Sequence, residues 1–243
     1  MKNRIGEKFT TNQGLICEII EYKNSHNLII KFSDGNIKKT TYSHLQTGNV
    51  RNPYYRWICG VGYIGEGPYK PSIKSVKGTI YNTWHSILQR CYDPIKQKKI
   101  PTYIGCIVCD EWLCFQNFAD FYTKNNPYNF HIDKDLLVKG NKIYSPDTCC
   151  FVPPVINNSL IKVNRKIYKY LDGIITKYGR YTSSITINQK HIFLGNYNTP
   201  EEAFISYKRA KEEQLKYLAN QWKDKISIQA YNALINYEVE ILE

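Results

Sequence analysis

Nowhere does this chain carry an apolar run approaching the roughly 18 residues that a membrane-spanning helix needs. Acidic residues are also scarce: 21 Asp and Glu stand against 33 Lys and Arg, giving the 243 residues a formal net charge of +12. The first residues, Met1 to Arg4, lead into polar sequence rather than the hydrophobic core of a secretion signal. The expectation is a cytoplasmic protein that is not secreted and has no membrane partner. The glycine-rich stretch 60–67 lacks the Gly-Lys-Ser/Thr ending of a phosphate loop, and no helix signal follows it directly. No nucleophile elbow is present either, so nucleotide-cofactor and acyl-transfer chemistry have little support.

What is present favours a polyanion. A strong basic excess attracts phosphate-rich partners, and 21 Tyr interleaved with it supply stacking and groove-packing surface. The eight cysteines, in a chain without a secretion signal, are expected to be reduced thiols. Cys106-x-x-Cys109, with Cys114 and either Cys149 or Cys150, is a candidate set for structural Zn²⁺. A second Cys-x-x-Cys pair is missing, and Cys149-Cys150 sits in an apolar run where thiols pack as small hydrophobes.

The length suits one large domain or two to three small ones. Residues 1–52 alternate in β fashion over 15–22 and 28–32, with Asn/Gly turns between, and predict a small antiparallel β domain. Residues 53–68 read as a Gly-rich connector. In 69–160, apolar residues at helical spacing predict a helix over 78–92, and a second amphipathic helix begins at Glu111. Residues 161–222 show period-two alternation and then a helix start at Thr199-Pro200-Glu201-Glu202. In 223–243, Ile226, Ala230, Leu234 and Tyr237 recur on one face of a last helix. The fold class expected is α+β, in several domains.

Residues 131–158 hold the residue types that phosphodiester hydrolysis requires. His131-Ile132-Asp133 opens the stretch, Tyr144-Ser-Pro-Asp-Thr148 forms a turn, and Asn157-Asn158 closes it. His suits a general base because its pKa lies near neutrality. Asp and Asn offer hard oxygens to a divalent cation that stabilises developing charge. The stretch resembles the HNH, or ββα-metal, nuclease finger. Tyr81-x-x-Trp84, Arg90-Cys-Tyr-Asp93, Glu111-Trp112, Phe115-x-x-Phe118, Asp133-Lys-Asp135, Gly140-Asn-Lys142 and Tyr144-Ser-Pro146 look like phage-encoded HNH homing endonucleases over most of the chain. The resemblance implies His131 as the base and Asn157 as a ligand to Mg²⁺ or another divalent cation, with Asp133 or Asp135 as the carboxylate ligand. If His131 is only structural, Asp133 and Asp135 become the metal pair. Phe130 stands where the family carries a metal-binding Asp or His, and Thr148 where it carries its middle Asn. Arg90 reads either as a bidentate phosphate contact or as half of an internal ion pair.

In the third segment, 178–187, 190–197 and Asn198-Thr-Pro-Glu-Glu-Ala203 resemble the APETALA-type (ethylene-response-factor) DNA-binding domain. That resemblance implies three strands backed by a helix, with the sheet in the major groove. The matching positions are Lys177, Tyr178, Arg180, Tyr181, Ser184, Thr186, His191 and Phe193. Tyr178, Tyr181 and Phe193 have packing against the helix as their other reading. Together the segments lead to the expectation of an α+β DNA endonuclease, a hydrolase that nicks or cuts double-stranded DNA. It would comprise a small β domain, an HNH-like finger with flanking helices, and a C-terminal three-stranded sheet plus helix. The alternative is a DNA-binding protein whose finger does not cleave.

Overall fold

The computed structural model describes residues 3–71, 78–160, 174–177 and 180–240. Helices and strands are mixed in an α+β chain that packs as two compact units, Met1–Tyr122 and Thr123–Glu243. Among the described residues, no helix is long and apolar enough to cross a membrane.

The first unit opens with a four-stranded antiparallel meander, β1 (Lys8–Thr10), β2 (Ile16–Asn24), β3 (Asn27–Phe32) and β4 (Ile37–Thr40), in sequential order. Alternation along β2 and β3 turns Cys17, Ile19, Leu28, Ile30 and Phe32 inward, where Leu45 of α1 (Tyr42–Gln46) and Val50 complete a core. Helix α2 (Gly78–Tyr92) occupies the span that its apolar spacing predicts. It buries Trp84, Ile87 and Leu88, and the Trp84 indole donates to the carbonyl of Trp112 at 2.7 Å. After α3 (Pro94–Lys99) and a two-residue strand β5 (Ile107–Val108), the amphipathic run from Glu111 is not one helix. A 3₁₀ turn (Asp110–Leu113) precedes α4 (Phe115–Asn125). Tyr63 explains the break: its N–H donates to Leu113 and its carbonyl accepts from Phe115, so those groups serve a bridge instead of a helix.

The glycine-rich stretch is therefore packed, where the sequence reads as a connector. A Cβ at Gly62 would meet Leu88 and Trp84, and Gly65, at φ +73°, lies where a Cβ would fall 2.5 Å from the Cys114 sulfur. These glycines allow close approach of the chain to the aromatic core.

In the second unit, β6 (His131–Asp133), a two-residue strand β7 (Ile143–Tyr144), β8 (Cys150–Val152) and α5 (Pro154–Leu160) are followed by β9 (Ile174–Lys177), β10 (Arg180–Ile187) and β11 (Lys190–Tyr197). The last three form an antiparallel sheet in the order β11-β10-β9. The β10–β11 turn places Asn188 at φ 49° and Gln189 at φ 64°, both left-handed as a tight two-residue hairpin of type I′ requires. Helix α6 (Pro200–Trp222) begins at a full capping box, with Thr199 accepting from the Glu202 N–H and Glu202 accepting from the Thr199 N–H.

At 23 residues, α6 spans about 34 Å and serves two cores. Ala203 and Phe204 near its start pack with Tyr181 and Tyr197 of the sheet. Leu215, Leu218 and Ala219 near its end pack with Leu136, Cys150, Val152 and Ile156 of the β6–β8–α5 region and with Ala230 and Leu234 of α7 (Ile228–Ile235). The expected junction near residue 160 thus lies inside the second unit, and one helix joins the parts on either side of it.

Candidate functional site

Two groups of expected residues are brought together in the second unit. The first lies on the β6–β8 hairpin and α5. Asn126 fixes the approach to it: its side chain accepts from the Phe130 N–H at 2.6 Å and donates to the Phe130 carbonyl at 2.9 Å. The Phe130 ring then packs edge-on against Trp222, with centroids 5.7 Å apart. Phe130 thus anchors β6 to α6, and the next residue, His131, opens the strand exposed to solvent.

Register decides which side His131 and Asp133 share. Antiparallel pairing sets His131 opposite Val152 and Asp133 opposite Cys150, and directly opposed residues lie on one face. Val152 and Cys150 pack with Ile156 of α5 in the same core. His131, Asp133 and the helix carrying Asn157 therefore lie on one side of the hairpin. Among the described residues, neither the His131 ring nor the Asn157 side-chain amide makes a hydrogen bond.

Asp133 is held in place by its own loop. Its Oδ1 accepts from the N–H of Asp135 at 2.9 Å and of Leu136 at 2.7 Å, a local turn that leaves Oδ2 open among the described residues. Burial pushes its carboxyl above the ordinary range; the two N–H bonds and Lys134 pull the other way, and Asp135 adds to the rise. Asp135 itself is exposed and pairs with the Lys134 ammonium at 2.6 Å. Lys134 also donates to the Asn141 carbonyl, and Asn141 returns a bond to the Lys134 carbonyl at 2.8 Å. Thr148 is committed to this loop, donating to the Ile143 carbonyl at 2.7 Å and lying 2.9 Å from the Ser145 hydroxyl. Tyr237 completes the surroundings. Burial and the charges of Asp133, Glu240 and Asp135 push its phenol above the ordinary range, and Lys139 ties Glu238 and Glu240 to the same loop.

The hard-oxygen candidates in this region are Asp133 Oδ2, the Asp135 carboxylate, which is already paired with Lys134, and the Asn157 amide on α5. Among the described residues, no cluster of three or more His, Cys, Asp and Glu is arranged to hold a metal. A set of one or two carboxylates with an amide fits Mg²⁺, which keeps most of its shell for water and substrate phosphate. All eight cysteines are free thiols. Cys106 and Cys114 are buried and Cys109 half-buried in the first unit, while burial pushes Cys149 in the second up to about 12.

The second group is the open face of the β9–β11 sheet. Ser184 pairs with Phe193 and Thr186 with His191; of these four, Thr186, His191 and Phe193 are exposed, whereas Ser184 is buried and not open to a partner. Thr182 and Asn196, paired and bonded at 2.7 Å, join them, as does Arg180 by alternation. Phe193 is 60% exposed, a large apolar ring on an open sheet. Tyr181 lies on the other face, packed with Ala203 and Phe204. Lys177 is opposite Arg180 in the register, but its side chain, like Tyr178, lies outside the described residues. A bulge at Leu194 of β11, opposite the Ser183–Ser184 step and beside Gly195 at φ +147°, lets both faces keep their sets. Arg90, on α2 of the first unit, lies over the Tyr103 ring at 5.3 Å.

Sequence reasoning missed Asn126, the buried Lys134–Asn141 pair and the Thr182–Asn196 pair. A lysine flanked by two aspartates reads as solvent-facing, and nothing local marks it as interior. Comparison of the chain with protein-family models, curated proteins and solved structures finds no match in any of the three.

Proposed function

We propose that this chain is a metal-dependent DNA endonuclease of the HNH homing type, with an APETALA-type sheet module that positions it on double-stranded DNA. The observation that carries the reading is the strand–loop–strand–helix order in which His131 and Asp133 share the side of the hairpin on which α5, the helix of Asn157, is packed. In this reading His131 takes the proton of an attacking water. Asn157 with Asp133 or Asp135 would hold Mg²⁺, which when bound would supply positive charge to stabilise the charge developing on the phosphate. The open sheet face supplies base and backbone contacts through Thr186, His191, Phe193 and Arg180. Arg90 and Lys177 add phosphate contacts, and the net charge of +12 makes affinity depend on salt. One hairpin touches few base pairs, so a separate sheet module raises the specificity ratio.

A non-cleaving DNA-binding protein is the second reading. It is favoured by Phe130, which packs on Trp222 where the finger's ligand would stand, and by Thr148, whose hydroxyl is spent within its own loop. Incubation of supercoiled plasmid with the full chain in Mg²⁺ and in EDTA separates the two. The nuclease predicts relaxed or linear product in Mg²⁺ alone. Duplex binding without product in either condition supports the second reading.

A further inference from the structure

We infer that the N-terminal β unit holds a phosphate-binding groove of its own for the backbone of duplex DNA, built at the outer edge of β4. The groove, about 470 Å³, is lined by Lys38, Lys39, His44 and Arg51, with His26, Thr40, Thr41, Asn49 and Val50 completing its wall. Three permanent cations and two imidazoles meet there, two threonine hydroxyls stand beside them, and no carboxylate lines it. Such a lining complements a polyanion and repels a basic wall of protein.

Its construction goes beyond protection of a sheet edge. β4 is the last strand in the order β1-β2-β3-β4, and lysines on an edge strand discourage pairing with other chains. That role accounts for Lys38 and Lys39 only. Arg51 follows α1, His44 lies on it and His26 sits in the β2–β3 turn, so four separate segments bring positive or protonatable groups to one place. Lys38 is the brace: it is half-buried and donates to the Arg51 carbonyl at 2.8 Å, holding that segment beside the strand. Lys39, His44 and Arg51 remain exposed. The groove is far larger than one phosphate group, which suits a run of backbone. The choice of duplex DNA as occupant rests on the proposed function; the anion chemistry rests on the groove alone.

The test is equilibrium binding of the full chain to a labelled random-sequence DNA duplex across a salt series, for wild type, Lys39→Ala/Arg51→Ala and Phe193→Ala. Removing one phosphate-binding charge lowers the log–log salt slope by about 0.9. The double variant is expected to lose between one and two units of slope, equally on all duplexes, while melting like wild type. Phe193→Ala keeps the slope, and Lys39→Arg/Arg51→Lys, which keeps both charges, restores it. An unchanged slope and affinity in the double variant overturns the groove. A slope loss on single-stranded RNA but not on duplex DNA overturns the occupant. Loss of slope in a protein that binds but never cleaves leaves the groove standing and removes the nuclease alone.

Discussion

Lys134 carries its ammonium into the interior of the second unit, where it donates to the Asn141 carbonyl at 2.6 Å. A buried lysine persists only when its donors are matched, and here the Asn141 carbonyl and Asp135 match them. The pair ties the start of the loop after β6 to its middle, so it sets where Asp133 and Asp135 stand. Lys134→Met strands the Asn141 carbonyl and costs about 1–3 kcal/mol, read as a lower urea midpoint. A midpoint equal to wild type would show that the loop does not depend on this bond.

Asp133 links stability to pH. Burial raises its folded-state pKa above that of the unfolded chain, so the fold favours the protonated form. That contribution is fully present below about pH 4, the ordinary carboxylate range, and is lost as pH rises through the folded value. At neutral pH the ionised group therefore opposes the fold. In EDTA, Asp133→Asn is expected to raise Tm at pH 7.5 (about neutral) and to give no gain near pH 3. Added Mg²⁺ then raises the Tm of wild type and not of the variant. Thermal melts over pH, with and without Mg²⁺, check both parts.

The two faces of the β9–β11 sheet respond differently to truncation. Phe193 is exposed, so Phe193→Ala leaves stability within about 0.5 kcal/mol of wild type and weakens duplex binding about tenfold by removing apolar contact. Tyr181 packs with Ala203 and Phe204, so Tyr181→Ala costs about 2 kcal/mol of stability. Calorimetry beside anisotropy titration separates them; a destabilised Phe193→Ala would place that ring in the core instead.

Gly65 tests the packed glycine segment. At φ +73°, with the Cys114 sulfur 2.5 Å from where a Cβ would sit, Gly65→Ala meets both backbone strain and overpacking and is expected to cost about 1–3 kcal/mol. Gly60, at φ +75° with open space around it, isolates the backbone part. Equal losses for the two alanines would show that the sulfur contact carries no weight.

Local chemistry made much of the fold legible. The spacing of Trp84, Ile87, Leu88 and Cys91 bounds α2, and Thr199-Pro200-Glu201-Glu202 announces the start of α6 through its cap. Ala230 and Leu234 lie on the buried face of α7 as their spacing implies, while Ile226, before the Ser227 cap, and Tyr237, past the end, fall outside the helix. What stayed hidden depends on distant partners. The break before Phe115 comes from Tyr63, and the tightness at Gly62 comes from Leu88 and Trp84. Strand alternation separates Tyr181 from Ser184 but cannot say which of them faces the helix. Residue type and order single out His131, Asp133 and Asn157 as candidates; the bonds that shape the hairpin and its loop, from Asn126, Lys134 and Asn141, join groups whose pairing no periodicity signals.

The most direct test is plasmid cleavage in Mg²⁺ by wild type and His131→Ala side by side, with duplex binding measured on the same samples. Nicking by wild type and a loss of about 10²–10⁴ in rate for His131→Ala are expected, with affinity unchanged. Nicking at the wild-type rate by His131→Ala would contradict His131 as the base and shift the chemistry to Asp133 and Asp135.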